Sequence, residues 1–228
     1  MKTVSKIALS ALLASTLGAG SAHALEAGDK LLYLRIVNIG PDASSSVLNV
    51  AGADMAGTGV DVDDATTLDI SLGYMVTDGF AVSILLDPST EHNVDVFGLG
   101  GIGVPDGTEV VEAKVLPPTL FLNYYFNSAG SVRPYVGAGV NYTLFFDEGL
   151  TNAAKFGLGA TNLKMDDSVG AAAQFGVDVD LADGWFFSAD VKYIQINTEA
   201  TFDTALGGVK VDVDIDPWVI GVGLGTTF

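Results

Sequence analysis

The stretch 67-TLDISLGY-74 decides the fold, because its residues alternate between apolar and polar side chains without a break. The two faces are Leu68, Ile70, Leu72 and Tyr74 on one side, and Thr67, Asp69, Ser71 and Gly73 on the other. Alternation with a period of two is typical of a β-strand that has one apolar and one polar face. The fold therefore depends on whether the apolar face contacts a protein core or lipid.

Seven further stretches alternate in the same way, which gives about eight strand candidates in all. We predict strands over 30–39, 67–76, 80–86, 115–126, 133–146, 168–181 and 185–200, and a last strand that ends the chain at Phe228. Short turns such as Thr77-Asp78-Gly79 alternate with long connections around 40–65, 88–114, 147–165 and 201–210. Short turns at one end and long loops at the other are typical of outer-membrane barrels.

The composition of the two faces indicates that the apolar face contacts lipid. The polar face carries mainly Gly, Ser, Thr, Asn and Gln, whereas a water-exposed face would carry Lys and Glu. Aromatic residues at the strand ends fit interfacial girdles: Tyr74, Tyr124, Phe126, Tyr142, Tyr193 and Trp218. The fold class is thus predicted to be all-β, an eight-stranded antiparallel transmembrane β-barrel with short periplasmic turns and long extracellular loops. The few charges of the polar face are then interior charges: Arg35, Asp69, Asp178, Asp190 and Lys192.

The N-terminus has the pattern of a cleaved secretory signal peptide. Lys2 and Lys6 accompany a short apolar run over 7–17, and 21-SAHA-24 ends in an A-x-A cleavage pattern. We expect residues 1–24 to be removed and residues 25–228 to form the barrel. No later run of roughly 18 apolar residues offers a transmembrane helix.

Composition narrows the possible functions. The net charge of −18 argues against nucleic acid as a partner, and a chain without cysteine has neither disulfides nor thiol catalysis. His92 is the only histidine after residue 24, so no catalytic triad is expected. The loop 98-GLGGIG-103 is not followed by a helix, and 61-DVDD-64 lacks the EF-hand spacing. We expect no catalytic residue, no cofactor and no metal.

Several motifs, taken in order, resemble the OmpW family: 116-LPPTL-120, 133-RPYVGAGVNYT-143, 183-DGWFFSADVKYI-194 and 216-DPW-218 before a terminal Phe. The resemblance implies a barrel of the bacterial cell outer membrane with a narrow apolar lumen, and a link to uptake of small hydrophobic molecules. It also implies that Leu85 and Lys192 match positions where apolar groups narrow the lumen. Lys192 departs from that pattern, because it is a cation.

Inward-facing positions turn apolar beyond the interior charges. On the seventh strand the inward series of Asp190 and Lys192 continues to Ile194 and Ile196, while the outward positions become polar. The full predicted ligand path is Leu85, Phe121, Tyr125, Ile194, Ile196, Val213 and Ile215. The alternative interpretation is that these residues form an ordinary packed plug. A bulge at Pro217 would shift the strand register and so weaken the assignment of inward positions on the last strand.

These patterns lead to a transport hypothesis. An eight-stranded barrel is too narrow for a general water-filled porin. Lys192 pairs with Asp69, Asp178 or Asp190 in a salt-bridged floor beneath an apolar funnel, and ligands leave sideways into the membrane. The alternative function is a structural or receptor/adhesion barrel that acts through its extracellular loops. Expected partners are outer-membrane lipid, small hydrophobic ligands and, through the strand that ends at Phe228, the barrel-assembly machinery.

Overall fold

The structure is a computed structural model that describes residues 24–88 and 90–228. The predicted signal peptide, residues 1–24, lies outside the described residues apart from Ala24. No helix among the described residues is both long and apolar enough to cross a bilayer.

Seventeen β-strands, numbered here in chain order, make up most of the described chain. Eight of them build a barrel: β1 (Lys30–Gly40), β6 (Ala65–Thr77), β7 (Phe80–Leu85), β10 (Thr119–Tyr125), β11 (Val132–Leu150), β13 (Ser168–Asp180), β14 (Trp185–Ile194) and β17 (Trp218–Thr227). The other nine lie in the long loops: β2 (Ser44–Ser45), β3 (Asn49–Val50), β4 (Ala53–Asp54), β5 (Gly59–Val62), β8 (Thr90–Phe97), β9 (Thr108–Leu116), β12 (Thr161–Met165), β15 (Asn197–Thr204) and β16 (Gly207–Asp214).

The barrel is closed and antiparallel. Its strand order is β10, β7, β6, β1, β17, β14, β13 and β11, and pairing between β10 and β11 completes the ring. Closure leaves no unpaired backbone edge within the hydrocarbon, which is the requirement for strands that span a membrane. The predicted eight-stranded barrel, with short turns at one end and long loops at the other, is confirmed.

The outer surface of the barrel is the apolar face that the alternation predicts. Along β1, burial alternates strictly: Leu34 and Ile36 are exposed, whereas Tyr33 and Arg35 are buried. The same pattern holds on the other barrel strands, and exposed aromatics mark the ends: Tyr74, Phe80, Tyr124, Phe126, Tyr142 and Trp218. An outward apolar band flanked by aromatics is the surface that lipid covers.

Above the barrel, the long loops form two facing sheets. One consists of β9, β8 and β5, and it continues the wall from the upper part of β11. The other contains β12, β15, β16, β3 and β4, with β2 paired to β16. A short helix, α1 (Asn152–Gly157), begins where the Thr151 hydroxyl accepts a hydrogen bond from the Ala154 amide at 3.2 Å. A 3-10 turn covers Gly100–Ile102.

Two predicted strands are divided in the structure, each time for a local reason. The predicted strand 115–126 breaks at Pro117 and Pro118, which separate β9 from β10 because proline cannot donate to a ladder. The strand 185–200 ends at Ile194, and the chain between β16 and β17 turns at Asp216, whose φ is +39°. Asp216 holds this break with its carboxylate, which accepts a hydrogen bond from the Ile196 amide at 3.0 Å.

Candidate functional site

Four charged side chains form an ionic network across the barrel interior, here called the floor cluster: Arg35, Asp69, Asp190 and Lys192. Lys192 Nζ lies 2.7 Å from Asp69 Oδ2 and 2.9 Å from Asp190 Oδ2. Arg35 Nη1 lies 3.1 Å from Asp69 Oδ2 and 2.9 Å from Asp190 Oδ2. Each cation therefore bridges both carboxylates, and the charges balance inside a nearly inaccessible space, which is the condition under which buried ions are tolerated.

Strand register brings these four residues together. Arg35 on β1 lies directly opposite Asp69 on β6, and Asp190 and Lys192 follow one another on the inward face of β14. Between β1 and β14 runs β17, which presents Gly221 opposite Asp190. A Cβ at Gly221 would lie 2.7 Å from Asp190 Oδ1, so this glycine provides the room that the cluster occupies.

On the periplasmic side of the floor cluster, tyrosines fill the barrel. The hydroxyls of Tyr33 and Tyr125 lie 2.7 Å apart, and Tyr33 donates to Asp178 Oδ2 at 3.0 Å. Asp178 therefore bonds to this tyrosine group and not to Lys192, whose predicted partners Asp69 and Asp190 are the observed ones. Phe186 packs against Tyr33, with ring centroids 5.2 Å apart. The interior below the floor cluster is thus occupied by buried side chains.

On the extracellular side of the floor cluster, the two loop sheets enclose an apolar cavity. The space that protein atoms leave empty, including its open mouth, is about 1280 Å³. Five residues of the predicted path line it: Leu85, Ile194, Ile196, Val213 and Ile215. Pro217 does not reverse the alternation of inward and outward side chains, since Val213 on β16 and Val219 on β17 both line the cavity. The walls are otherwise mostly valine, leucine and phenylalanine side chains from both sheets.

The other two residues of the predicted path lie lower. Phe121 packs in one buried cluster with Leu85 and Ile194, and it also borders the small polar space below them. Tyr125 belongs to the tyrosine group and does not line the apolar cavity. The apolar lumen that the resemblance implies is therefore confined to the region above the floor cluster.

Few polar side chains line the cavity, and sequence reasoning overlooked the most deeply buried one, Asp87. It lies two residues beyond the end of β7, past the last lipid-facing residue Leu86, and is only 5% exposed. Its Oδ1 has no hydrogen-bond partner among the described residues. The alternation that puts Ser83 and Leu85 inside the barrel also predicts an inward Asp87.

Other polar groups at the cavity wall have partners. The Thr198 hydroxyl donates to the carbonyl oxygen of Asp166 at 2.6 Å, and the Thr90 hydroxyl donates to that of Pro88 at 3.4 Å. His92 Nδ1 lies 3.3 Å from the carbonyl oxygen of Asp63. Burial lowers the pKa of His92, which favours the neutral ring. Among the described residues that line the cavity, Asp87 Oδ1 is thus the buried side-chain oxygen that lacks a hydrogen-bond partner.

The wall of the barrel has a seam beside Asp87. The ladder between β6 and the β7 segment ends where the Leu86 amide donates to the Ile70 carbonyl at 2.8 Å. Beyond that bond, residues 65–69 of β6 pair with β1, while the next strand, β8, pairs with β5 and β9. The lipid-facing Leu68 lies beside this interruption and is exposed. The seam is thus a short gap at the extracellular end of the barrel wall, where side chains and no backbone ladder close the cavity.

The extracellular mouth of the cavity is apolar as well. A second open space of about 880 Å³ shares Leu48, Leu99, Leu158 and Phe202 with the cavity wall. Apolar residues in the same region, Ile102 and Leu206, are exposed to solvent. The arrangement is a funnel that leads from the outer surface toward the floor cluster.

A closed eight-stranded barrel with a lipid-facing apolar band, short turns at one end and a loop-built funnel at the other defines an outer-membrane β-barrel protein. The OmpW family model matches residues 26–228, and the chain belongs to the OmpW family. Outer membrane protein W of Vibrio cholerae is 38% identical over 218 residues, which cover 94% of this chain and 95% of that protein. The protein therefore resides in the bacterial outer membrane.

Two further similarities extend this result. The crystal structure of the outer membrane protein OprG from Pseudomonas aeruginosa superposes with a TM-score of 0.84 at 36% identity, covering 90% of this chain and 98% of OprG. A protein of Pseudomonas aeruginosa named dibenzothiophene metabolism operon protein PahQ is 29% identical over 195 residues, 85% of each chain. The fold thus belongs to a family with members in several bacteria.

Proposed function

We propose that this barrel is a passive uptake channel for small hydrophobic molecules. The single observation that carries the proposal is the apolar cavity, open to the outside and closed below by the floor cluster. Each Å² of apolar surface that a guest removes from water contributes about 25 cal/mol, so burying roughly 200 Å² would favour entry by about 5 kcal/mol. Lipid offers a guest the same gain, so onward transfer from the cavity needs no energy source.

The proposed exit is lateral, through the seam beside Asp87 into the membrane. A guest that continued down the barrel axis would have to break the floor cluster, and breaking one buried ion pair costs about 3–5 kcal/mol. Exit through the seam requires only that side chains such as Leu68 and Leu86 move. The floor cluster thus directs an apolar guest sideways and keeps ions from passing.

The printed name of one relative supports this substrate class. PahQ is named for a dibenzothiophene metabolism operon, and dibenzothiophene is an apolar aromatic molecule. The relatives named outer membrane protein W carry no enzyme name, which agrees with a non-enzymatic role. An adhesion or receptor role through the loops would not need an open apolar cavity between them.

The test is uptake of a small apolar fluorescent tracer into lipid vesicles that contain the refolded protein. We expect faster entry than into empty vesicles, and we expect Ile194→Asp to abolish the gain because it places a charge in the cavity. Ile194→Val, which keeps the wall apolar, is the matched control and should retain the gain. No acceleration by the well-folded wild-type barrel would contradict the proposal and favour a loop-based receptor role.

A further inference from the structure

Asp87 Oδ1 is the one buried side-chain oxygen or nitrogen that lacks a hydrogen-bond partner among the described residues lining the cavity. This oxygen makes no hydrogen bond with any described residue, although Asp87 is only 5% exposed. Leaving a buried polar group unsatisfied costs about 1–3 kcal/mol, so a native structure that keeps one requires an explanation.

Its neighbours do not supply that explanation. In the floor cluster, Arg35 and Lys192 are already shared between Asp69 and Asp190, so the two cations balance two carboxylates. Asp87 is a further carboxyl beside a cluster that is already neutral. Asp69 exerts the largest charge effect on Asp87 and repels it, Lys192 and Arg35 attract it more weakly, and the backbone of Ile70 supplies one hydrogen bond to the carboxyl, which leaves Oδ1 without a partner. Neither a cation nor a hydroxyl of the described chain completes its hydrogen bonding.

We propose that Asp87 selects guests that carry one hydrogen-bond donor at the end of an apolar body, such as an alkyl alcohol or an alkyl ammonium. This inference rests on the proposed function and names its preferred substrate class. The apolar body occupies the valine- and isoleucine-lined funnel, and the donor reaches the carboxyl at its base. In either protonation state a carboxyl retains an oxygen that accepts a hydrogen bond.

The position of Asp87 also connects selection to exit. The carboxyl lies where the ladder between β6 and β7 ends, at the Ile70–Leu86 bond. A guest whose donor binds Asp87 is therefore held with its apolar body above the floor cluster and beside the seam. Once the donor leaves the carboxyl, the same guest is next to lipid. Selection and lateral release thus use neighbouring residues.

The test uses four probes with the same number of non-hydrogen atoms: undecane, decanone, decanol and decylammonium. Each competes with a fluorescent apolar probe bound to the protein in phospholipid nanodiscs, so that partition into lipid is the same for every variant. Wild type should prefer the two donors over decanone and undecane by about tenfold, which corresponds to about 1.4 kcal/mol. Asp87→Leu should remove this preference and strengthen undecane binding.

Two further variants keep the result interpretable. Asp87→Asn retains an acceptor oxygen and should keep decanol binding while weakening decylammonium. Asp95→Leu changes another carboxyl with an unpartnered oxygen, but one that does not line the cavity, and should leave the preference unchanged. A donor preference that survives in Asp87→Leu, or equal binding of decanone and decanol by wild type, would overturn the inference. If undecane also fails to bind, the proposed function itself fails.

Discussion

At the residue scale, the floor cluster gives Lys192 ion-pair partners at a position where the resemblance implies an apolar group that narrows the lumen. Lys192 is buried, and its ammonium contacts Asp69 and Asp190, which Arg35 also contacts. The cation therefore closes the barrel through ion pairs instead of apolar bulk. Sequence parity predicted all four members as interior charges. Asp190 is the neighbour of Lys192 on the inward face of the same strand, whereas the choice of Asp69 over Asp178 depends on register between distant strands, which local sequence does not encode.

Replacement of Lys192 tests the network. Lys192→Ala leaves Arg35 to balance two carboxylates, and we expect a loss of about 3–5 kcal/mol in the free energy of unfolding, as for other broken buried pairs. The charge-balanced double variant Lys192→Ala with Asp69→Asn should recover part of that loss. Urea unfolding in lipid vesicles measures both.

The same variant has a transport readout. Apolar uptake should change little in Lys192→Ala, because the cavity lies above the floor cluster. A large rise in ion conductance or in uptake would show that Lys192 blocks an axial path and would contradict lateral release.

A second residue-scale prediction concerns pH and lies in the extracellular sheet. Burial raises the pKa of Asp95, and repulsion from Asp63, Glu109 and Asp61 adds to the rise. The folded state therefore holds this proton more tightly than the unfolded chain, so the free energy of unfolding falls as the pH rises above the ordinary carboxyl pKa of about 4. Asp95→Asn should remove this part of the pH dependence. The urea midpoint of each protein is measured at about pH 5 and at about pH 7. If the midpoint shifts by the same amount between the two pH values in wild type and in the variant, the assignment to Asp95 is contradicted.

At the element scale, the strands of the barrel are predictable and their extracellular continuations are not. Alternation located β1, β6 and β7 to within one or two residues at each end, and it located the start of β14 but not its end at Ile194. Loop strands such as β5 and β8 pair over long sequence distances with each other and form the cavity walls. Val60 and Val62 line the cavity and alternate with Asp61, but this alternation covers a strand of only four residues, Gly59–Val62, which is too short to identify β5 from the sequence alone.

The seam gives a prediction at this scale. The chain has no cysteine, so an engineered cysteine pair can form a disulfide without competition from other thiols. A disulfide between Ile70→Cys and Leu86→Cys would lock the last bond of the β6–β7 ladder, since paired antiparallel residues lie within disulfide reach. We expect slower tracer release into the membrane when the pair is oxidised and full recovery on reduction.

The matched control is a disulfide at Leu72→Cys and Ile84→Cys, a directly opposed pair lower in the same ladder. It should not affect uptake, because that part of the wall stays paired in the proposed route. Equal rates for the oxidised and reduced Ile70–Leu86 variant would place the exit elsewhere.

At the scale of the whole molecule, the polar and apolar regions are stacked along the barrel axis. Tyrosines fill the periplasmic end, the floor cluster lies above them, and the apolar cavity opens to the outside. The change from polar to apolar inward positions was predictable from the sequence at Ile194 and Ile196. The volume of the cavity was not predictable, because it depends on the distance between the two loop sheets. The role of Phe228 in barrel assembly stays a prediction.

The central claim is that the molecule conducts apolar guests and not ions. The most direct measurement records both in the same vesicle preparation, with tracer entry followed by fluorescence and ion flux by collapse of a potassium gradient. The account predicts accelerated tracer entry, abolished by Ile194→Asp, with no ion flux above that of empty vesicles. Ion flux without tracer entry would contradict it, because that result requires an open aqueous path through the floor cluster.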